Sequence, residues 1–162
     1  AKAAVEYLVE QGFQRIAMIN GDVRYLYASQ REAGYREACA GRWQNVVYTE
    51  GLEYQAGIQA MAQLLAQPEK PDAVFAISDS LAGGALALAH QQGLRVPEDL
   101  AIVGFDGIPF GEITTPPLTT IAQPIHQLGV RSVQLLLERI ENPAMTPVYE
   151  MLPWSLLQRG SA

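Results

Sequence analysis

The sequence predicts an α/β fold, a doubly wound and mainly parallel sheet flanked by helices. Short apolar runs alternate along its 162 residues with helical patterns of ten or more residues, which is the arrangement of βαβ units. The run 73–77 (Ala-Val-Phe-Ala-Ile) is apolar at every position, as expected of a parallel strand covered on both faces. Gly12 and Gly93 each end a helical pattern. These signals favour one ordinary domain with a substantial core.

The elements follow in order from the same signals. Ala4, Val5 and Leu8 repeat at helical spacing in the first helix. Ser29 is the expected N-cap of the second helix, and Ser78 or Asp79 that of the fourth. The predicted helices cover residues 1–11, 29–39, 54–65 and 81–92. The predicted strands cover residues 15–19, 46–48, 73–77 and 100–103, with an edge strand at 118–121.

The pattern changes after Pro124. The next segment is apolar around most of its circumference and carries these residues: Ile125, Leu128, Val130, Val133, Leu135, Leu136, Leu137 and Ile140. Such a helix is normally buried on nearly all sides, which calls for a partner beyond the layers already predicted. Packing on one sheet face is the alternative. Strands are predicted at 148–152 and 154–157.

Composition limits the function classes. With 49% hydrophobic and 17% charged residues the chain is globular. Its net charge of −6, from 11 basic and 17 acidic residues, argues against nucleic-acid binding by this chain alone. The single cysteine, Cys39, fits a reducing compartment, and neither a secretory signal nor a membrane-length apolar run is visible. The helical start at Ala1 without Met suggests a piece of a longer protein; a processed or tagged small protein is the alternative.

No motif of catalysis or cofactor binding occurs. The sequence lacks a Gly-x-Gly-x-x-Gly, a Walker loop, a Gly-x-Ser-x-Gly elbow, a Cys-x-x-Cys and a His-Glu-x-x-His. His90 and His126 lie on separate predicted helices, and the aspartates have no metal-ligand spacing. Gly83-Gly84 is interpreted as a site of close helix packing. We therefore expect no enzyme activity, no cofactor and no metal.

Polar residues instead gather where predicted strands end. The clearest is Asp106 within Gly104-Phe105-Asp106-Gly107, directly after a buried strand. Ligands of open parallel sheets bind beyond the carboxyl ends of strands, and carboxylate and guanidinium groups beside apolar surface suit a hydroxyl-rich ligand. The predicted ring comprises Asp22–Arg24, Arg31, Leu52–Tyr54, Ser78-Asp79 and Asp106.

These segments together resemble the sensor core of LacI/GalR-type transcriptional regulators. The resemblance spans essentially the whole chain, and three stretches carry most of it. They are Gln-Arg-Glu-Ala-Gly-Tyr at 30–35, Pro-Asp-Ala-Val-Phe-Ala-Ile-Ser-Asp at 71–79, and the run 96–124 with its Val-Gly-Phe-Asp and Pro-Pro-Leu-Thr-Thr-Ile. It implies a periplasmic-binding-protein-like fold that senses a sugar or a related small molecule.

The resemblance also implies roles for single residues. Arg31 corresponds to the ligand-clamping arginine, Ser78 to a ligand-contacting position, and Asp106 to an aspartate that binds sugar hydroxyls or ring nitrogens. Leu52 occupies the position where many members place an aromatic residue that stacks on the ligand. This departure leaves Tyr25 or Tyr54 as substitutes for that stacking.

The implied organisation divides the chain in three. Residues 1–123 form the carboxyl-terminal subdomain, 124–153 cross to the other subdomain, and 154–162 return. We expect a cytoplasmic homodimer that contacts DNA only through an amino-terminal reader and has no membrane partner. The helix 81–92 and the loop with Phe110 and Ile113 would form the dimer surface.

Two other readings remain open at this point. A periplasmic-type sugar-binding protein of a transport system shares the fold. The sequence upstream would distinguish the two, because a signal peptide indicates the transport protein and a helix-turn-helix indicates the regulator. A small α/β enzyme would work through Asp106 and Asp79, and turnover on a hydrolase or phosphatase panel would reveal it.

Overall fold

A computed structural model describes all 162 residues and contains one six-stranded sheet. The strands are β1 (Arg15–Asn20), β2 (Trp43–Tyr48), β3 (Ala73–Ala76), β4 (Ala101–Asp106), β5 (Thr119–Ala122) and β6 (Ser155–Leu157). The helices are α1 (Lys2–Glu10), α2 (Leu26–Ala38), α3 (Tyr54–Leu65), α4 (Asp79–Gln91) and α5 (Ile125–Glu141), with a 3-10 turn at Pro109–Glu112. The sheet order is β2-β1-β3-β4-β5-β6, and only β6 runs antiparallel. The predicted fold class is confirmed.

Helices cover both faces of the sheet, which is why the inner strands are apolar throughout. Helices α1 and α2 pack together on one face, and α3 and α4 pack together on the other. Every residue of β3 is fully buried, and one continuous apolar core joins the sheet to the four helices. Burial of both faces is the physical reason for the unbroken apolar run that the sequence displays at this strand.

Close contact between α3 and α4 depends on two glycines. A side chain on Gly57 would meet the backbone carbonyl of Leu81, and one on Gly84 would meet that of Tyr54. Gly83 lies directly under the ring of Phe110. The interpretation of Gly83-Gly84 as a site of close packing is confirmed.

The starts of α2 and α4 can be compared with the N-cap residues predicted from the sequence. Helix α2 begins at Leu26 with Tyr25 as N-cap, so the predicted start at Ser29 is wrong. Ser29 lies inside the helix, where its hydroxyl donates to the Leu26 carbonyl at 3.0 Å. Ser78 is the N-cap of α4, since its hydroxyl accepts from the Leu81 N–H at 3.2 Å.

Two strand predictions also need correction. Strand β5 is not an edge strand, because β6 pairs with it on its outer side, with Ala122 opposite Ser155. Residues 148–152 form no strand. Arg131 on α5 instead holds this segment, through an ion pair with Glu150 at 2.7 Å. The predicted strand at 154–157 is confirmed as β6.

Helix α5 lies outside the core. None of its residues is buried, so the alternative in which it packs on a sheet face is wrong. Its large exposed apolar residues are Ile125, Leu128, Val130, Val133, Leu136, Leu137 and Ile140. The helix is therefore amphipathic without a covering partner. Neither it nor any other helix is long and apolar enough to cross a membrane.

Candidate functional site

The site lies at the carboxyl edge of the sheet, between β1 and β3, where the connections from one strand to the next reverse direction across the sheet. Strand β2 lies on one side of β1 and β3 on the other, with the connecting helices on opposite faces. Such a switch point opens a crevice beyond the strand ends, where ligands bind in α/β sheets. Gly21 follows β1 at this crevice, and Ile77 and Ser78 follow β3.

Arg31 projects from α2 into this crevice. Its Nη1 donates to the Ile77 carbonyl at 2.5 Å, and its guanidinium lies 3.8 Å from the centroid of the Phe105 ring. The side chain is only 16% exposed. Burial lowers the pKa of the guanidinium, which nevertheless remains charged because arginine is not deprotonated in proteins. Arg31 is therefore a fixed cation with an aromatic ring against its face.

Asp106 lies beside Arg31 at the end of β4. Its Oδ1 lies 3.6 Å from Arg31 Nη2 and accepts a hydrogen bond from Gln123 Nε2 at 2.7 Å. Its Oδ2 makes no hydrogen bond. The backbone φ of Asp106 is 120°, and Gly107 follows with 75°. Burial raises the pKa of this carboxyl, and the neighbouring Arg31 cation offsets only part of that rise.

Asp79 belongs to the framework behind the site. It is fully buried, and it accepts from the Thr120 hydroxyl at 2.5 Å and from the Ile108 N–H at 2.8 Å. Burial raises the pKa of this carboxyl as well. Because both of its oxygens bind inside the protein, Asp79 joins the start of α4 to β5 and presents no free group to a ligand.

Ser78 and Leu52 lie together at the crevice floor. The Ser78 hydroxyl caps α4 and also lies 3.4 Å from the Leu52 carbonyl oxygen, to which it donates. The Leu52 side chain lies over Gly21, with its Cδ2 3.2 Å from the position that a Gly21 Cβ would take. Ser78 directly follows Ile77, whose carbonyl accepts a hydrogen bond from Arg31, and Leu52 lies beside Ser78. Both predicted site residues therefore lie close to Arg31, and Leu52 contributes apolar surface.

The two predicted tyrosines lie elsewhere. The Tyr54 ring packs edge-on against Phe110, with a centroid separation of 6.4 Å, and lines a groove on α4. Tyr25 stacks on Tyr27 at 5.7 Å. Of the predicted site residues, Arg31 alone lines the cleft described next, and the following do not: Asp106, Ser78, Leu52, Tyr25 and Tyr54.

That cleft has a volume of about 560 Å³ and lies between the α1–α2 pair, the ends of β4 and β5, and the segment before β6. Its lining includes Tyr27, Gln30, Arg31, Phe105, Gln123 and Trp154. Sequence reasoning missed Tyr27, Phe105 and Gln123. The available signals were the spacing of four residues between Tyr27 and Arg31, which places them on one helix face, and the adjacency of Phe105 to Asp106.

A few polar groups in a largely apolar cleft at a switch point are typical of α/β domains that bind small molecules. No cluster of three or more histidine, cysteine or acidic side chains is present that could hold a metal ion. Residues 5–162 match the family of periplasmic binding protein-like domains, and the chain belongs to that family.

Individual relatives are transcriptional repressors. The chain is 41% identical over 162 residues to the HTH-type transcriptional repressor CytR of Escherichia coli K12, covering 98% of this chain and 48% of CytR. It is 38% identical over 163 residues to the ribose operon repressor of the same organism, covering 98% and 49%. The structure of the transcriptional regulator CelR in complex with cellobiose matches with a TM-score of 0.93 and 37% identity, covering 99% of this chain and 50% of CelR.

These comparisons confirm the resemblance to LacI-type regulators. The chain spans about half the length of the curated relatives it matches.

Proposed function

We propose that this chain is the effector-binding part of a LacI-type transcriptional regulator, and that its effector is a sugar or a related neutral polyol. The observation that carries the proposal is the Arg31–Asp106 pair at the switch point, with Asp106 Oδ2 free to accept. The similarity to repressors over 98% of the chain supports the regulatory role.

The chemistry of the pair favours a neutral hydroxylated ligand. A sugar hydroxyl can donate to Asp106 Oδ2 while its neighbour accepts from the Arg31 guanidinium, and both bonds are charge-assisted. Opposite charges side by side leave little net attraction for an ionic ligand. Phe105 and Tyr27 line the cleft together with Arg31 and add flat apolar surface there.

The proposal assigns residues 1–123 to one lobe, 124–153 to a segment that crosses to a second lobe, and 154–162 to the returning strand. The uncovered apolar residues of α5 support this division, because a second lobe would cover them. DNA would be read by another segment of the whole protein, which would act in the cytoplasm.

Dimerisation through α4 completes the proposed assembly. An apolar groove there is lined by Tyr54, Gly83, Phe110 and Ile113, and Ile113 is 80% exposed. Catalysis is not part of the proposal, since Asp79 is engaged internally and no nucleophile–base pair lies in the cleft.

The test is isothermal titration calorimetry of the full-length protein with a panel of single-ring sugars and disaccharides. Arg31→Ala and Asp106→Ala should each weaken binding by about 10- to 150-fold, the equivalent of about 1.5–3 kcal/mol, because each removes a charge-assisted bond. Arg36→Ala and Asp99→Ala are matched controls, since these residues form exposed ion pairs with Glu32 and Arg95.

Unchanged affinity in both site variants would reject the assignment. A gel shift with operator DNA separates the regulatory role from a transport role, because only a regulator changes its DNA retention when the sugar is added.

A further inference from the structure

Asp79 is a buried acidic residue that takes no direct part in the proposed site. Its carboxylate lies in the space that a side chain on Gly104 of β4 would occupy, and it accepts from the Thr120 hydroxyl of β5. Its other oxygen accepts from the Ile108 N–H at 2.8 Å, just beyond the end of β4. The carboxylate therefore contacts both strands that frame Asp106 and also the turn that follows it.

That turn, residues 106–108, has an unusual backbone. The φ angles of Asp106 and Gly107 are 120° and 75°, which lie in the region that favours glycine. A side chain on Gly107 would meet the backbone of Ala122, so the turn packs directly on β5. The bond from the Ile108 N–H to Asp79 fixes its far end. The backbone that carries the Asp106 carboxylate is thus held on two sides.

The junction between β3 and α4 also holds the other charged group of the site. The Ile77 carbonyl accepts from Arg31, Ser78 caps the helix, and Asp79 follows. Arg31 Nη2 and Asp106 Oδ1 are 3.6 Å apart, which is too long for a hydrogen bond. The pair is therefore held by separate anchors on one junction and not by a direct bond. Groups fixed in this way are ready for a ligand without rearrangement.

We propose that Asp79 is a positioning residue for the effector: it anchors the turn after β4 and so keeps the Asp106 carboxylate at a distance from Arg31 where a ligand hydroxyl can bind both. The inference rests on the proposed function and adds to it a residue that acts on the ligand only through Asp106. Without the anchor, the Asp106 carboxylate could move and pair directly with Arg31. The ligand would then have to break an internal ion pair.

The experiment is a double-mutant cycle on the full-length protein, measured by isothermal titration calorimetry. The panel is ribose, glucose, galactose, cellobiose and maltose, and the sugar that wild type binds most tightly serves for all variants. Asp79→Ala should weaken its binding about tenfold or more, but only about twofold or less when Asp106→Ala is already present, because residues of one network are not additive. Asp79→Asn keeps an acceptor for the Ile108 N–H and a donor for the Thr120 hydroxyl oxygen, so its affinity should stay within about threefold of wild type.

Ser161→Ala is the control for lost stability. The buried Ser161 hydroxyl accepts from the Thr119 N–H at 2.8 Å and donates to the Ile102 carbonyl at 2.6 Å, at the amino ends of the same two strands. This variant should lower the melting temperature and leave the sugar affinity unchanged. Circular dichroism checks the fold of every form. If Asp79→Ala does not fold, Asp79→Leu combined with Thr120→Val replaces it, since these side chains match the original shapes and remove the acceptor together with one donor.

The outcomes separate the positioning role from the proposed function. If wild type binds a sugar and the Asp79 substitution weakens it equally in both backgrounds, or not at all, the positioning role is rejected while the effector-binding function stands. If Asp79→Asn loses as much affinity as Asp79→Ala, or if Ser161→Ala weakens binding to the same extent, the hydrogen bonds of Asp79 do not set the site and the proposal fails. If wild type binds no sugar of the panel, the proposed function and the positioning role fall together.

Discussion

Asp106 combines two unfavourable features in one residue. Its backbone φ of 120° lies in the region that favours glycine, and its carboxyl is partly buried with a raised pKa. Strain of this kind costs about 1–3 kcal/mol and persists mainly at functional sites, where the surrounding structure enforces it. Gln123 enforces it here, since its N–H donates to the Asp106 carbonyl and its side-chain amide to the carboxylate. We infer that the aspartate serves binding at the expense of stability.

Asp106→Asn should therefore raise the melting temperature at neutral pH. The raised pKa means that the fold favours the neutral carboxyl, so the ionised form lowers the free energy of unfolding at all pH values above the raised pKa. That cost decreases as the pH falls through the raised pKa and disappears below the ordinary value of 3.8, where the carboxyl is neutral in both states. Asparagine is never charged, and it also tolerates positive φ better than most residues.

Differential scanning fluorimetry between pH 3.5 and 8 measures this difference, with Glu98→Gln as a control on an exposed carboxyl that forms no side-chain hydrogen bond. A stabilising effect that grows as the pH falls would contradict the argument. The same variant should bind the sugar more weakly, because asparagine lacks the carboxylate.

Sequence reasoning identified the charged pair of the site better than its surroundings. Arg31 and Asp106 stand in recognisable motifs, and the structure places them 3.6 Å apart. Tyr27 and Tyr54 show what the sequence does not predict about these surroundings. Tyr54 turns toward Phe110, far along the chain, and Tyr27 turns toward Arg31. Side-chain directions of this kind depend on tertiary contacts that a linear pattern does not contain.

At the scale of elements, α3 and α4 make a close helix–helix contact. Gly57 and Gly84 let the two helices approach until backbone faces backbone, and neither position has room for a methyl group. Gly129 on α5 is the opposite case, because nothing lies within 4 Å of its added Cβ. The same residue type thus has different physical roles in two helices of one chain.

Gly84→Ala should destabilise the protein although alanine is the better helix former. The propensity gain is about 1 kcal/mol, whereas overpacking against the Tyr54 carbonyl requires α3 to move and costs about 1–3 kcal/mol. Gly129→Ala is the matched control and should cause no loss. Urea unfolding of both variants measures the difference, and equal midpoints for wild type and Gly84→Ala would contradict the packing argument.

Elements were predictable where a local signal marks them. Helix α3 has the predicted bounds, 54–65, and β3 is recognisable from its apolar run. Helix α2 has no side-chain cap at its start, so Ser29, which is a good capping residue, gave a misleading signal. The position of β5 inside the sheet depends on pairing with β6, which lies beyond α5 in the sequence.

At the scale of the whole molecule, α5 carries an apolar surface without a partner. Ile125, Val133, Leu136 and Ile140 are each more than half exposed, and Tyr149 and Met151 on the following segment are almost fully exposed. Contiguous apolar surface of this kind marks interfaces or causes association.

The 162-residue chain should therefore self-associate in solution through this surface. Val130→Lys combined with Leu137→Glu should reduce the association, because both residues are exposed apolar groups of α5. Gln127→Lys combined with Gln134→Glu is the control, since it introduces the same charges at exposed polar positions. Light scattering across a concentration series measures the average mass. A wild-type chain that stays monomeric at the highest concentration would reject the idea.

The pairing of β5 with β6 has a further consequence. Ala122 and Ser155 are opposite each other in neighbouring strands, so the long stretch between them leaves and re-enters the sheet at one point, as the loop of a hairpin does. The strand pairing therefore holds both ends of this stretch together at one place in the sheet, next to Asp106. Gln123 is the first residue of the loop and holds the Asp106 carboxylate. A displacement of Gln123 would therefore shift the Asp106 carboxylate, which is the acceptor of the proposed site.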